Sequence, residues 1–381
     1  MDSNKTLEDR VYFMNLDIIR FIAAYMIVIF HAFYGWHANW GFPKFLTHEN
    51  GQLTWIGKFV ETAIHNFSFG VDVFFLVSGF LITFLLLKEK EQNGKIAIGK
   101  FYVRRVLRIW PLYFLILSFG PLLFWWLGEP EPKNYLPHLF FAGNFEVIQN
   151  GFSSSAVNHL WSICIEEHFY FVCPLLIAFI PKKRIPLVLW TIIFISFCFR
   201  GIIVGTENYW MNMYLNSLSR MDILAIGCLA AYYFFNNKLL FNYSKSTLLV
   251  ICVLFFLLFI NEVYVYWDNF FLATAKKYTF ILLVGLIIGN LLFNKAVVIM
   301  PKKKGVFHYL GKVSYGIYMF NPIVVAIFIK HFHLFNLKNG FLYFIGIQIL
   351  LLILVVISFE LVEKQFLKLK DKFAVVRSRI Y

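Results

Sequence analysis

One apolar stretch of this chain, residues 16–35, reads LDIIRFIAAYMIVIFHAFYG and carries Asp17, Arg20 and His31. Ionisable groups inside a lipid-length run are costly, so they are functional candidates by default. His31 follows Arg20 by eleven positions. At roughly 100° and 1.5 Å per residue the two side chains share a helix face, about 16 Å apart along the axis. An arginine near one end of a span and a histidine near the other would line one polar track. A neutral imidazole, with an unperturbed pKa of about 6.5, can take a proton from a hydroxyl or accept a transferred group itself. A lone buried histidine is more often a satisfied core residue, and the arginine on its face is what argues for more.

Other residues could join that track. Asp72 opens the apolar segment 68–87, where a carboxylate is unfavourable unless paired. Ser78 and Gly79 in the middle of that segment read as small packing residues, since no G-x-S-x-G elbow surrounds the serine. Residues 88–108, KEKEQNGKIAIGKFYVRRVLR, form the most basic loop. If 100–108 is helical, Arg104, Arg105 and Arg108 are neighbours at i,i+3 and i,i+4 spacing. Two readings stand: a topogenic cluster facing anionic lipid, or a clamp for phosphate oxygens. Trp110 and Pro111 open the next span, with proline in its first turn. In HLWSICIEEHFYFVCP (159–174), Glu166 and Glu167 follow Trp161 inside an apolar run. Adjacent helix positions diverge by about 100°, so one acid meets the polar track and the other pairs structurally. Spacing leaves open which. His159 shares a face with Glu166, and His168 points elsewhere. Arg220 and Asp222 read as partners in structural ion pairs with other helices, and Arg200 as a snorkelling side chain. In LGKVSYGIYMFNPIV (310–324), Gly311, Ser314 and Gly316 permit close packing, while Asn321 and Pro322 add an amide and a helix breaker.

The elements that must position these groups follow from composition. Of 381 residues, 60% are hydrophobic, 20% aromatic and only 15% charged, and the mean hydropathy is +0.69. Soluble chains carry about 25% charged residues, so this one is solvated largely by lipid. Ten apolar runs can be marked, near 16–35, 67–87, 109–127, 159–180, 185–204, 215–235, 246–266, 278–294, 306–329 and 340–362. The expected fold is all-α, a polytopic membrane bundle of about ten transmembrane helices: a cytoplasmic tail (1–15), a membrane domain (16–363) and a basic cytoplasmic tail (364–381). The first run is too long for a cleavable signal and lacks a small-residue cleavage site.

With the N-terminus inside, 25 of the 35 Lys and Arg residues fall on the inner side, seven outside and three within spans. That asymmetry is the positive-inside pattern. It accounts for the net charge of +14 without nucleic acid. Both termini are therefore expected in the cytoplasm. The 246–294 pair of helices reads as scaffold, with Glu262 and Asp268 at an outer boundary. The outer loop 36–66, rich in Trp and His, reads as an interfacial belt or a platform for a sugar ring. Loop 128–158 is a flexible cover or a plain connector. All five cysteines lie inside spans without CxxC spacing, which predicts buried thiols and no metal. No P-loop appears, which argues against an ATP-driven pump.

Six ordered stretches resemble the acyltransferase-3 family of multispan membrane acyltransferases, which includes many bacterial O-acetyltransferases of surface polysaccharides. They are 16–31 with its R-x10-H, GVDVFFLVSGFLI (70–82), FYVRRVLRIWPLYF (101–114), HLWSICIEEHFYFVCP (159–174), RMDILAIGCLAA (220–231) and LGKVSYGIYMFNPI (310–323). The likeness spans about 14–370. It implies transfer of an acyl group, usually acetyl, from acyl-CoA (acetyl-CoA) to a hydroxyl of a glycan or lipid-linked saccharide, with the protein in the inner membrane and no bound cofactor.

On that pattern His31 is the essential histidine and Arg20 its partner, while Arg105 and Arg108, with Arg104 beside them, meet the donor's phosphates. Glu166 and Glu167 match the acidic pair after Trp161. Glu166 is read as catalytic alongside His31, and Asp17, Asp72, Glu167 and Trp161 as supporting. Asn321 stands where many relatives have histidine, and Gln365 where proline is usual. The chain stops soon after the last span, so a single membrane domain is expected to do the whole job or hand its acyl group to another protein. Two rivals remain: a secondary transporter, against which the lack of visible repeats with broken helices counts, and a non-catalytic partner in polysaccharide assembly.

Overall fold

The computed structural model describes residues 13–128, 134–152, 156–261, 270–294, 305–331 and 339–376. Glu262 and Asp268 lie outside these residues. Helix dominates, and the described residues form no named strand, only an isolated bridge between Thr47 and Leu53. In chain order come α1 (Met14–Trp40), α2 (Trp55–His65), α3 (Gly70–Asn93) and α4 (Ile98–Leu127). Short α5 (Leu136–Leu139) and α6 (Gly143–Asn150) precede α7 (Trp161–Phe179), α8 (Ile185–Ile203), α9 (Tyr209–Leu215) and α10 (Ser217–Phe235). Then follow α11 (Lys245–Phe259), α12 (Phe270–Phe293), α13 (Val306–Lys312), α14 (Ser314–His331) and α15 (Gly340–Ser358). A π-helical turn, Phe359–Glu363, leads into α16 (Lys364–Asp371).

Each of the ten apolar runs is mostly helical over its described residues. Eight described helical segments are long and apolar enough to cross a membrane, or nine if α13 and α14 count as one span bent by 71°. The shortfall from ten lies in α11, whose 15 residues reach about 22 Å at 1.5 Å each, short of a hydrocarbon core about 30 Å thick. Large apolar side chains are exposed around these helices, Trp125 at 77% and Phe179 at 76% among them, as a lipid-facing surface requires.

The basic "loop" is mostly helix. α3 runs on to Asn93 and α4 begins at Ile98, so Arg104, Arg105 and Arg108 sit in the first turns of a 30-residue helix. Pro111 is therefore internal to α4, not in its first turn. Hydropathy cannot see such a start, because its charged turns look like a connection. The helix ends at Gly128, whose φ of 70° is open to glycine at little cost.

The chain divides into two compact units. The first comprises Met14–Phe74 and Phe241–Ile357, and the second Met1–Phe13, Phe75–Leu240 and Ser358–Tyr381. In the first, α1 packs against α13 and α14. The approach is close enough that a Cβ on Gly311 would overlap the Asp17 carbonyl, the small-residue contact its sequence predicts. In the second, α3 and α10 cross reciprocally: a Cβ on Gly79 would strike the Leu224 carbonyl, and one on Gly227 the Leu76 carbonyl.

Two expectations for the second unit are corrected. Arg200 does not snorkel. It is 1% exposed and donates through Nη1 to Asp222 (2.6 Å) and to the Ser219 carbonyl (2.7 Å), joining α8 to α10. A guanidinium with a facing carboxylate is better satisfied inside the bundle than stretched to an interface. Residues 134–152 are neither open cover nor plain connector: α5 and α6 fold onto the unit. Tyr113 donates to the His138 carbonyl (2.7 Å), and Asn144 to the Leu215 carbonyl (3.1 Å). Burial pushes His138 down to about 4. All five cysteines are free thiols, Cys164, Cys173 and Cys228 fully buried.

Candidate active site

In the first unit the site is built on α1. Asp17 is completely buried beneath Gly311, and Arg20, one turn further, is half-buried. His31 is half-buried, and its Nδ1 is hydrogen-bonded to Oδ1 of Asn321 on α14. The amide's orientation is fixed from its other end, since Asn321 Nδ2 donates to the Tyr318 carbonyl at 2.6 Å. An Oδ1 can only accept, so the His31 proton resides on Nδ1 and Nε2 keeps its lone pair. That is the tautomer a general base or nucleophile needs. Asn321 is wholly buried, held on a helix broken after Lys312, with Ser314 Oγ donating to the Gly311 carbonyl (2.9 Å) at the break. Asp72, also in this unit, is buried at 6% exposure.

The second unit carries the arginines and the acidic pair. Arg105 lies between two rings, its guanidinium carbon 4.9 Å from the Tyr170 centroid and 5.3 Å from that of Phe101. The stack fixes the plane of the fork. Both oxygens of Glu166 are engaged, Oε1 by Ser78 Oγ (3.0 Å) and Oε2 by Tyr170 OH (2.8 Å). Glu167 accepts from Trp110 Nε1 at 3.4 Å. A chain of contacts thus runs Ser78–Glu166–Tyr170–Arg105. Arg104 is committed elsewhere: it pairs with Glu89 at 3.3 Å and donates to the Phe373 carbonyl at 2.9 Å. Arg108 is half-buried. Trp161 helps frame Arg220, whose guanidinium lies 5.1–6.0 Å from the rings of Tyr214, Phe75 and Trp161. His168 bonds Ser217 Oγ at 2.7 Å, away from Glu166.

Among the described residues no group of three His, Cys, Asp or Glu is arranged to hold a metal ion. Three participants escape a reading of the sequence. Asn321 stands out there as an amide beside a proline, at a position where many relatives have histidine, with nothing to pair it with His31. Ser78 reads as packing. Tyr170 offers a signal, since it follows Glu166 by four positions and shares its face.

A family model described as an acyltransferase domain matches residues 14–360. The chain belongs to the acyltransferase-3 family. Every candidate residue named above falls within the matched range. Among curated proteins, O-acetyltransferase OatA of Staphylococcus aureus (strain NCTC 8325 / PS 47) is 26% identical over 324 residues, 77% of this chain and 51% of the relative. A protein of S. aureus strain COL, provisionally named an O-acetyltransferase, is 25% identical over 325 residues, 78% of this chain and 52% of its own. This acyltransferase-3 chain thus spans about half the length of the curated relatives it matches. No solved structure gives a significant match.

Proposed function

We propose that this protein is a membrane O-acyltransferase that moves an acyl group, acetyl first among candidates, from acyl-CoA to a hydroxyl of a surface or lipid-linked glycan. The observation that carries the reading is the His31–Asn321 hydrogen bond within an acyltransferase-3 domain, which leaves Nε2 of His31 as a base. Nε2 takes the acceptor's hydroxyl proton as its oxygen attacks the thioester carbonyl. The tetrahedral adduct collapses, the C–S bond breaks, and the imidazolium returns the proton to the departing thiolate. The products are an ester and free CoA.

Arg105 and Arg108 take the donor's phosphates, for which the stacked, planar fork of Arg105 is suited. Glu166, with both oxygens engaged, acts by holding Tyr170 against Arg105. Arg20 and Asp17 extend the polar face of α1, and Asp72, Glu167 and Trp161 are supporting residues. The distribution of Lys and Arg supports a cytoplasmic-membrane protein with both termini inside.

The test is His31→Ala in protein verified as membrane-inserted, with glycan acylation read by mass spectrometry. Loss of the acyl mark is expected, and acylation at the wild-type level would sink the assignment. Trapping of a labelled acyl-enzyme at His31 would make it the carrier instead of the base. The transporter reading draws on the break between α13 and α14. It predicts solute flux driven by an ion gradient, with no transfer in detergent.

A further inference from the structure

A second hydroxyl–imidazole pair lies in the other unit, where α10 begins. Ser217 opens that 19-residue helix and is 5% exposed, and its Oγ lies 2.7 Å from Nδ1 of His168 on α7. Asn144 Nδ2 on α6 donates to the same Oγ at 3.2 Å. The His168 ring is also hydrogen-bonded to the Phe141 carbonyl. A carbonyl only accepts, so the neutral ring spends its one proton there, and Nδ1 takes the hydrogen bond from the Ser217 hydroxyl. A serine aimed at an imidazole whose N–H is held by an acceptor is the arrangement that activates a serine nucleophile, with a carbonyl where a carboxylate more often stands.

One short stretch, 141–145, assembles the pair. Phe141 sits at φ 56°, in the left-handed region that a bulky aromatic residue rarely adopts. Its ring packs against Trp110, Tyr113 and Phe114, with centroids 4.6–5.9 Å apart, which holds that backbone in place. The Phe145 ring stacks on His168, centroids 6.0 Å apart and planes within 25°. Asn144 is completely buried, and its Nδ2 protons go to Ser217 Oγ and the Leu215 carbonyl. Among the described residues its Oδ1 accepts no hydrogen bond. A plain tie between helices needs neither a strained residue nor a buried oxygen left over, whereas reactive sites keep both. The N-terminus of α10, with Arg220 three positions on, favours negative charge on an adduct at Ser217.

We propose that Ser217 is a nucleophile that takes a short acyl group from an acyl ester, with His168 as its base. As Ser217 Oγ attacks the ester carbonyl, its proton passes to Nδ1 of His168. The adduct collapses with cleavage of the bond between the carbonyl carbon and the alkoxy oxygen. The imidazolium returns the proton to the departing alkoxide, leaving a seryl ester and an alcohol. Water or another hydroxyl, deprotonated by the same nitrogen, then releases the acyl group and restores the serine. A short acyl group fits best because α6 closes over the buried serine. This centre uses neither His31 nor acyl-CoA, so its failure leaves the glycan acyltransferase reading untouched.

The experiment uses the full chain purified in detergent, with p-nitrophenyl acetate as the acyl ester and no acyl-CoA. Wild type, Ser217→Ala, Ser217→Cys, His168→Gln and, as a control, the exposed Ser246→Ala are compared. The readouts are the burst of p-nitrophenol, the acetylated residue mapped by peptide mass spectrometry, and the melting of each variant. Wild type and Ser246→Ala should give a burst and an acetyl group on Ser217. Ser217→Ala should lose both, Ser217→Cys should carry the acetyl group as a thioester, and His168→Gln should acylate about 100-fold more slowly or worse. Absence of acetyl from Ser217 in wild type would overturn the proposal, as would acylation of His168→Gln within about twofold of wild type. If Ser217→Ala melts early, Ser217→Cys and His168→Gln decide the matter, since each replaces a side chain by one of similar size that still bonds its neighbours.

Discussion

Replacing Asn321 by alanine should lower the turnover of acyl transfer by about 5- to 150-fold and leave the donor KM within about twofold. The range comes from the geometry. Asn321 Oδ1 is the acceptor for His31 Nδ1–H, and its own orientation is locked by the 2.6 Å bond from Nδ2 to the Tyr318 carbonyl. Removing the amide leaves a partly buried N–H without its acceptor, at a cost of about 1–3 kcal/mol. At about 1.4 kcal/mol per tenfold in rate, that cost gives the stated range if the productive tautomer bears all of it. The arginines proposed to hold the donor belong to a different element, α4, so ground-state binding of acyl-CoA should be spared. The assay is steady-state transfer of a labelled acyl group in detergent, with melting of each variant as the control, because Asn321 is fully buried. His31→Ala should be inactive, and the double variant no worse than His31→Ala, since the amide acts only through the ring. Turnover of Asn321→Ala within about twofold of wild type, or a double variant more impaired than His31→Ala, would refute the tautomer argument.

Arg105→Lys should raise the donor KM about tenfold despite keeping the charge, because lysine cannot reproduce the fork stacked between Phe101 and Tyr170. Tyr170→Phe should raise it about threefold, and the exposed Lys100→Ala should not change it; equal effects of Lys100→Ala and Arg105→Lys would reduce the cluster to a topological role. Asp222→Leu alone should destabilise the second unit by about 3–5 kcal/mol by removing the carboxylate that faces buried Arg200, whereas Arg200→Met with Asp222→Leu should recover most of that, as read by thermal unfolding. Because burial holds His138 neutral to about pH 4, the unfolded chain binds its proton first on acidification. Stability is then full above about pH 6.5 and falls between there and pH 4, by on the order of 3 kcal/mol. Hydrogen exchange across 134–150 at pH 7 and pH 5 should register the loosening, and His138→Leu should abolish its pH dependence.

What could be read directly from the residues were the helices and the faces they present. A span must satisfy its backbone within itself, so a run of about 20 apolar residues announces a helix whatever surrounds it. The common face of Arg20 and His31 follows from 3.6-residue periodicity, and the close approach at Gly79 and Gly311 from the absence of a side chain. The start of α4 at Ile98 was hidden because hydropathy registers lipid contact, and the first turns of that helix are charged. The bend between α13 and α14 left no decisive mark in composition.

Partner choice belonged to the tertiary structure alone. His31 and Asn321 are 290 positions apart, and only the packing of α14 on α1 turns that amide into the group that sets the ring's tautomer. In the same way Arg200, which by sequence alone could have reached for the interface, is drawn inward by Asp222 on a neighbouring helix. Helix formation is local because each backbone bond closes over four residues. Which polar side chains meet depends on the rotation and depth at which whole helices dock, and that is fixed by contacts far apart in the chain.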